Sequence, residues 1–228
     1  MTSRSVVRTA AAVAVFLGFA FLIVRDRVSA KAVTTPDPVV HDSLAAASGK
    51  QTIVLSGGCF WGIQLVYEHV KGVVNVTSGY SGGTAKNPSY ELVSSGTTGH
   101  AESVKIVYDP SQVTYGQLLK VFFSVAHDPT ELNRQGPDEG TQYRSAIFYT
   151  NDEQERIARA YIDQLDQANV FSHKIVTQLA PLSAFYSAEG YHQDYAIHNP
   201  MNPYIMINDL PKVDHLRKQL PDLYVKYK

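Results

Sequence analysis

The stretch Gln51-Thr52-Ile53-Val54-Leu55-Ser56-Gly57-Gly58-Cys59-Phe60-Trp61-Gly62-Ile63-Gln64-Leu65-Val66-Tyr67-Glu68-His69-Val70 changes its periodicity halfway along. Ile53, Val54 and Leu55 form a short apolar block ending in Gly-Gly, which reads as a strand. Ile63, Val66, Tyr67 and Val70 then recur at i, i+3, i+4 and i+7, which reads as a helix. Cys59 stands at the joint. It is the only cysteine of the 228 residues, and Trp61 beside it is the only tryptophan. Unpaired N–H groups and the positive end of the macrodipole at a helix start favour a thiolate. Cys59 is therefore expected to be a catalytic nucleophile.

Outward from this joint, Val73 to Tyr80 alternates as a strand, so the whole run reads as a βαβ unit. Gly79-Tyr80-Ser81-Gly82-Gly83 to Pro88 and Leu92 to Gly99 are loop chemistry. His100 to Tyr108 reads as a strand with Glu102, Val104, Ile106 and Tyr108 on one face. A carboxyl group in that apolar row would keep its proton to higher pH and suit a general acid. Spacing alone favours the plainer reading, a strand-end glutamate turned to water.

Thr114 caps a helix built on Leu118, Val121, Phe122 and Val125, and His127 to Tyr143 is a long loop. Ser145–Thr150 and Lys174–Leu179 read as strands, and Asn151 or Asp152 caps a helix running to Ala168. Glu189–His198 reads as a short helix and Val213–Leu220 as a last surface helix. Helices interspersed with strands predict an α/β (α+β) sandwich. Its mixed sheet would surround the βαβ core, with helices on the sheet and a long coiled C-terminal segment.

The N-terminus carries an address. Arg4 and Arg8 precede an apolar run from Ala10 to Val24, followed by small-x-small sites at Val28-Ser29-Ala30 and Ala30-Lys31-Ala32. The run falls short of the ~20 residues that span a bilayer comfortably. Residues 1–32 are thus expected to be a signal peptide or an N-terminal membrane anchor. Residues 33–49, with Thr34-Thr35-Pro36-Asp37-Pro38, read as a linker, and 50–228 as the catalytic domain. This predicts export to the periplasm or cell envelope, membrane-anchored if the signal is uncleaved.

A net charge of −1 gives no reason to expect nucleic acid as a partner. One cysteine excludes an intrachain disulfide, a cysteine-based zinc site and an internal dithiol relay. The eight histidines are scattered without ligand spacing, so no metal is expected. Three readings compete on the residues alone. One is an exported cysteine hydrolase or acyl transferase with His100, His127 or His192 as base. Another is a redox enzyme cycling Cys59 through sulfenic acid. The third is a tethered binding module with an inert cysteine.

Gly58-Cys59-Phe60-Trp61-Gly62 resembles the signature of the peptide methionine sulfoxide reductase A family. So do Gly79-Tyr80-Ser81-Gly82-Gly83, Asn87-Pro88-Ser89-Tyr90 and Gly96 through Ser103. The match continues through Asp128-Pro129-Thr130, Asn133-Arg134-Gln135-Gly136, Asp138, Gln142-Tyr143-Arg144-Ser145, Ala188-Glu189 and Tyr191-His192-Gln193. It runs in family order from about Gln51 to about Pro200.

The resemblance implies an oxidoreductase of protein repair under oxidative stress, reducing the S epimer of methionine sulfoxide, free or in proteins. By matching motif, Cys59 is the nucleophile and Glu102 the acid that protonates the sulfoxide oxygen. Tyr90 and Tyr143 hydrogen-bond that oxygen, Phe60 and Trp61 wall the methyl group, and Asp138 organises the site. The resemblance also implies a monomer without a bound cofactor. Many members carry further cysteines near the C-terminus, but this chain has none from Pro203 to Lys228. A sulfenic acid on Cys59 would need an external thiol: thioredoxin, a glutaredoxin or glutathione-type thiol, or dithiothreitol in vitro.

Overall fold

The computed structural model describes residues 33–44 and 49–227; the expected export signal at 1–32 lies outside the described residues. Strands β1 (Gln51–Ser56), β2 (Val73–Ser81), β3 (Ala101–Tyr108), β6 (Ala146–Tyr149), β7 (Gln178–Pro181) and β8 (Phe185–Ser187) form one sheet. Its order is β7-β6-β1-β3-β2-β8. Only β6 and β7 pair in parallel; β1 pairs antiparallel with β3 and β6, and β2 with β3 and β8. The short β4 (Arg134–Gln135) and β5 (Asp138–Glu139) make a separate hairpin.

The expected βαβ core is present but split. Helix α1 (Phe60–Glu68) links β1 to β2, and β3 lies between those two strands. The insertion has a side-chain reason. The β3 row carrying Val104, Ile106 and Tyr108 is wholly buried, and it needs apolar neighbours on both sides. Leu55 pairs with Val104 on one flank, and Val76 with Ile106 on the other.

Helix α1 packs Phe60, Ile63, Val66 and Tyr67 into the main core with Leu118, Leu119, Phe122 and Phe123. Each such side chain contributes ~1.5–3 kcal/mol on burial. Its opposite side is covered too, because Leu65 packs with Ala196 and Ile205 of the C-terminal segment. The joint at Cys59 is therefore clamped between the sheet and the chain's last quarter.

Among the remaining helices are α2 (Tyr90–Ser94), α3 (Tyr115–Val121) and α4 (Asp152–Gln167). Thr114 caps α3 as sequence predicts, and closes a full capping box with Gln117; of the two caps expected for α4, Asn151 is the one that accepts from the Gln154 N–H. Loop 92–99 opens with the end of α2, and loop 127–143 holds the β4–β5 hairpin and a 3-10 turn at Thr141–Tyr143. The strand expected at Lys174–Leu179 begins only at Gln178. The expected helix 189–198 is a 3-10 turn, Gly190–His192, and a short α5, Tyr195–His198. Asp194 at φ 54° breaks it. The last helix, α6 (Leu210–Gln219), follows a π turn at Ile205–Asp209 and buries Lys212 and Leu216.

The stretch read as a linker is tied down along its described part. Asp42 accepts from the N–H groups of Tyr115 and Gly116 at the start of α3. Tyr161 of α4 donates to the Pro36 carbonyl at 2.8 Å, and Lys120 meets Asp37 at 2.7 Å. No helix among the described residues is long and apolar enough to cross a membrane.

Candidate active site

The two glycines before Cys59 are fixed by what lies against them. A Cβ on Gly57 would stand 2.9 Å from the His127 ring, and one on Gly58, at φ +94°, 2.5 Å from the Gln135 side chain. The chain can pass there only without side chains, and it then turns into α1 with Cys59 as the flanking residue. Cys59 is half-buried and free.

Glu102 reaches the same point from β3. It is 2% exposed, and its Oε2 accepts the Phe60 N–H at 3.0 Å. This satisfies one of the orphan donors at the start of α1. The alternation placing Glu102 in the apolar row thus decides its surroundings, and the solvent-facing reading fails. Burial pushes the Glu102 carboxyl up to about 8. The Phe60 N–H opposes that shift, the Asp138 charge adds to it, and the Cys59 thiol pulls it back. Near neutral pH the group is an acid in its protonated form.

Cys59 departs from expectation. Burial pushes its thiol well above the ordinary range, and the charges of Glu102, Asp209 and Asp138 add to this; a Trp61 backbone hydrogen bond opposes them. Helix-start stabilisation is outweighed by desolvation and three carboxyl groups. The free protein holds a thiol where sequence predicts a thiolate.

The other expected residues gather here as well. Tyr90, half-buried at the start of α2, feels the charges of Glu102, Cys59 and Asp138. Tyr143 feels the same three groups and Tyr90. Burial, first of all, raises both phenols, so they are hydrogen-bond donors. Asp138 accepts a hydrogen bond from the Tyr204 hydroxyl. Of the two aromatics beside Cys59, Phe60 is sealed in the core at 1% exposure, while Trp61 is half-buried and forms the open wall.

Several neighbours stand in roles the sequence reading did not give them. Trp61 Nε1 donates to His192 Nδ1 at 3.2 Å, and the Trp61 ring stacks on Tyr195 at 4.0 Å between centroids. The His192 ring also lies 4.4 Å from that of Tyr90. Tyr80 donates to Glu189 at 2.8 Å, and the second oxygen of Glu189 accepts the Tyr90 N–H. Tyr80 and His192 lie within recognisable motifs, which was a signal; Tyr195 and Tyr204 lie in a stretch without one.

Among the described residues none of the three candidate histidine bases is hydrogen-bonded to Cys59. His127 is bonded through both nitrogens, to the Phe122 carbonyl and the Ser145 hydroxyl. His100 is likewise engaged by the Gly83 N–H and the Ala85 carbonyl. His192 holds Trp61. Burial lowers the His127 ring to about 4, so it is neutral. Among the described residues no cluster of three or more His, Cys, Asp or Glu side chains is arranged to hold a metal ion.

What remains is a thiol and a protonated carboxyl together, ringed by phenol donors and one indole. That set can attack an electrophilic atom while protonating an oxygen attached to it.

Comparison with known proteins gives the same direction. A family model described as peptide methionine sulfoxide reductase matches residues 51–223. A protein of Mesorhizobium japonicum named peptide methionine sulfoxide reductase MsrA 2 is 59% identical over 179 residues, covering 78% of this chain and 92% of its own. A Synechocystis protein of the same name is 53% identical over 189 residues, covering 82% and 88%. Among solved structures, methionine sulfoxide reductase A of Corynebacterium diphtheriae is similar at TM-score 0.59 and 36% identity, covering 76% and 88%. Mxr1 of Saccharomyces cerevisiae in its reduced form is similar at 0.62 and 32%, covering 72% and 92%.

Proposed function

The chain belongs to the peptide methionine sulfoxide reductase family and is an oxidoreductase acting on methionine sulfoxide, and we propose that it reduces the S epimer, free or in proteins, through Cys59 and Glu102. The observation that carries this reading is the buried Glu102 carboxyl, bonded to the Phe60 N–H beside the only thiol. A sulfoxide oxygen leaves poorly until protonated, so attack at sulfur needs a neutral acid within reach. Tyr90 and Tyr143 steady the oxygen as donors. Trp61, held by His192 and Tyr195, faces the methyl group, and Phe60 backs the wall. Asp138, bonded by Tyr204, orders the rim.

The step balances without an outside proton. Cys59 sulfur attacks the sulfoxide sulfur while Glu102 gives its proton to the oxygen. The proton that Cys59 loses restores Glu102. The sulfur–oxygen bond then breaks and the hydroxyl passes to the Cys59 sulfur as the new sulfur–sulfur bond opens, leaving the methionine thioether and a sulfenic acid on Cys59. One external thiol then condenses with the sulfenic acid, releasing water, and a second thiol frees Cys59 as a disulfide of the two reductants departs. Thioredoxin, a glutaredoxin or glutathione-type thiol, or dithiothreitol in vitro fit that role, since all supply two thiol equivalents.

The same reading assigns 50–228 as the catalytic domain of a monomer exported to the periplasm or cell envelope. The Ala10–Val24 run supports this, cleaved or retained as an anchor. An assay of both epimers of a methionine sulfoxide peptide with dithiothreitol tests the activity: reduction of the S epimer alone is expected. Reduction of the R epimer, or hydrolysis of an acyl ester instead, overturns it. Mass spectrometry of the mature N-terminus separates cleavage from anchoring.

A further inference from the structure

The proposed chemistry uses Tyr143 of the Gln142-Tyr143-Arg144-Ser145 run and leaves Arg144 without a part. Arg144 is nonetheless only 8% exposed, a costly place for a guanidinium. It gives three N–H groups to three separate segments. Nη1 donates to the Thr141 carbonyl at 2.8 Å, Nη2 to the Gly99 carbonyl at 3.1 Å and Nε to Gln178 Oε1 at 3.1 Å. All three acceptors are uncharged oxygens. A carboxylate would offset more of the desolvation of a buried cation, so what distinguishes these acceptors is where they stand. Thr141 opens the 3-10 turn that ends in Tyr143. Gly99 lies three residues before Glu102, on the way into β3. The turn lies against β3, and Arg144 bridges the two. The loop after β2 closes on the same group: a Cβ on Gly82 would stand 2.7 Å from Arg144 Nη2. Gln142 ties the turn to α2, donating from Nε2 to the Ser94 carbonyl at 3.1 Å.

We propose that Arg144 is a positioning residue for the reduction: by bridging the 3-10 turn and the entry to β3, it fixes the Tyr143 phenol relative to Glu102. The guanidinium does this as a rigid plane. Its Nε, Nη1 and Nη2 donors diverge at set angles, so three acceptors on three segments are held at set distances from one another. A lysine ammonium is a single point on a flexible stem and would not span the same three oxygens. The demand for such a frame comes from the reaction. Tyr143 donates a hydrogen bond to the sulfoxide oxygen and Glu102 delivers a proton to it, so both must meet one atom from different elements. A misplacement of about 1 Å is enough to cost ~10²-fold in rate. The methyl wall belongs to α1 and the C-terminal segment, where Arg144 makes none of these three bonds. Arg144 therefore acts on the chemical step and leaves the binding of the sulfoxide nearly untouched.

The inference rests on the reductase reading with Tyr143 as a donor. Its test is single-turnover reduction of the S epimer of N-acetylmethionine sulfoxide by the full chain, followed against sulfoxide concentration without reductant. Arg144→Met and Arg144→Lys should each slow the step by ~10- to 10²-fold, with half-saturation moving less than about 3-fold. Tyr143→Phe should slow it at least as much. Arg144→Met placed on Tyr143→Phe should then add less than about 3-fold, because no phenol remains to be positioned. A merely structural arginine would slow both backgrounds by the same factor, and that result overturns the proposal. So does an Arg144→Lys protein as fast as wild type, a Tyr143→Phe protein as fast as wild type, or a loss carried by half-saturation alone. A wild-type chain that leaves the sulfoxide unreduced removes the reductase reading and this inference with it; an active wild type with additive variants removes the inference alone. If Arg144→Met fails to fold, Arg144→Lys, which keeps the charge and most of the stem, decides in both backgrounds by the same outcomes.

Discussion

In the proposed reaction Glu102 concentrates the conflict between function and stability in one side chain. Its carboxyl is pushed up to about 8 in the folded chain, whereas the unfolded chain releases that proton near the ordinary glutamate value of ~4.3. Between those values the folded form binds the extra proton, so stability falls as pH rises. Glu102→Gln has no such proton to lose. Its unfolding free energy should therefore match wild type near pH 4 and exceed it near pH 8, by on the order of 5 kcal/mol. The same substitution should lower kcat/KM by ~10²–10⁴-fold and remove the loss of activity expected of wild type above about pH 8. Melting curves and a pH–rate profile on one pair of proteins check both halves. An unchanged profile would remove Glu102 from the chemistry. His192 poses a different residue-scale question, because it acts through Trp61. His192→Ala leaves the indole N–H without its acceptor at ~1–3 kcal/mol. It should raise KM more than it lowers kcat, and Trp61 fluorescence should report the freed ring.

At the scale of elements, the joint between β1 and α1 was the most legible part of the fold, and the reason is local. Gly57 and Gly58 sit where His127 and Gln135 leave no room for a Cβ, so the break in pattern and the break in structure coincide. Gly58→Ala combines a φ of +94° with a 2.5 Å approach. It should destabilise by ~1–3 kcal/mol and depress activity. Thr114→Ala offers the contrast: loss of the α3 capping box should cost ~0.5–2 kcal/mol in a urea titration and leave kcat unchanged. Less legible were features decided by distant partners. Nothing within β1 or β2 says that β3 will lie between them; that follows from the buried row of β3 needing cover on both flanks. The three-residue β8 has too short an alternation to announce itself, and it is a strand because β2 offers Tyr80 and Ser81 to pair with Tyr186 and Phe185. The short helix at 195–198 is set apart by Asp194 in a left-handed conformation, which tertiary contact with Gln64 holds in place.

At the scale of the whole molecule, the C-terminal quarter hides most from sequence and packs against the turn that carries Cys59. Tyr195, Tyr204, Asp209 and Lys212 converge on α1 from a stretch without a clear period, so their convergence could be learned only from the folded chain. That stretch contains no cysteine, and Cys59 is the sole thiol. The consequence is stoichiometric. Mixed with excess methionine sulfoxide and no reductant, one mole of protein should yield one mole of methionine and then stop, with Cys59 left as sulfenic acid. Dimedone should then trap one adduct per chain, mapped by mass spectrometry to the Cys59 peptide, and thiol titration should fall from one to zero. Adding dithiothreitol before the trap should restore the thiol and multiple turnovers. A burst of two moles of methionine would mean a second electron source within the chain. A disulfide-linked dimer in place of the adduct would mean that a second copy of Cys59 serves as the resolving thiol. Either result would replace the external-thiol cycle, because the methionine count and the fate of the one sulfur atom fix where the remaining electrons come from.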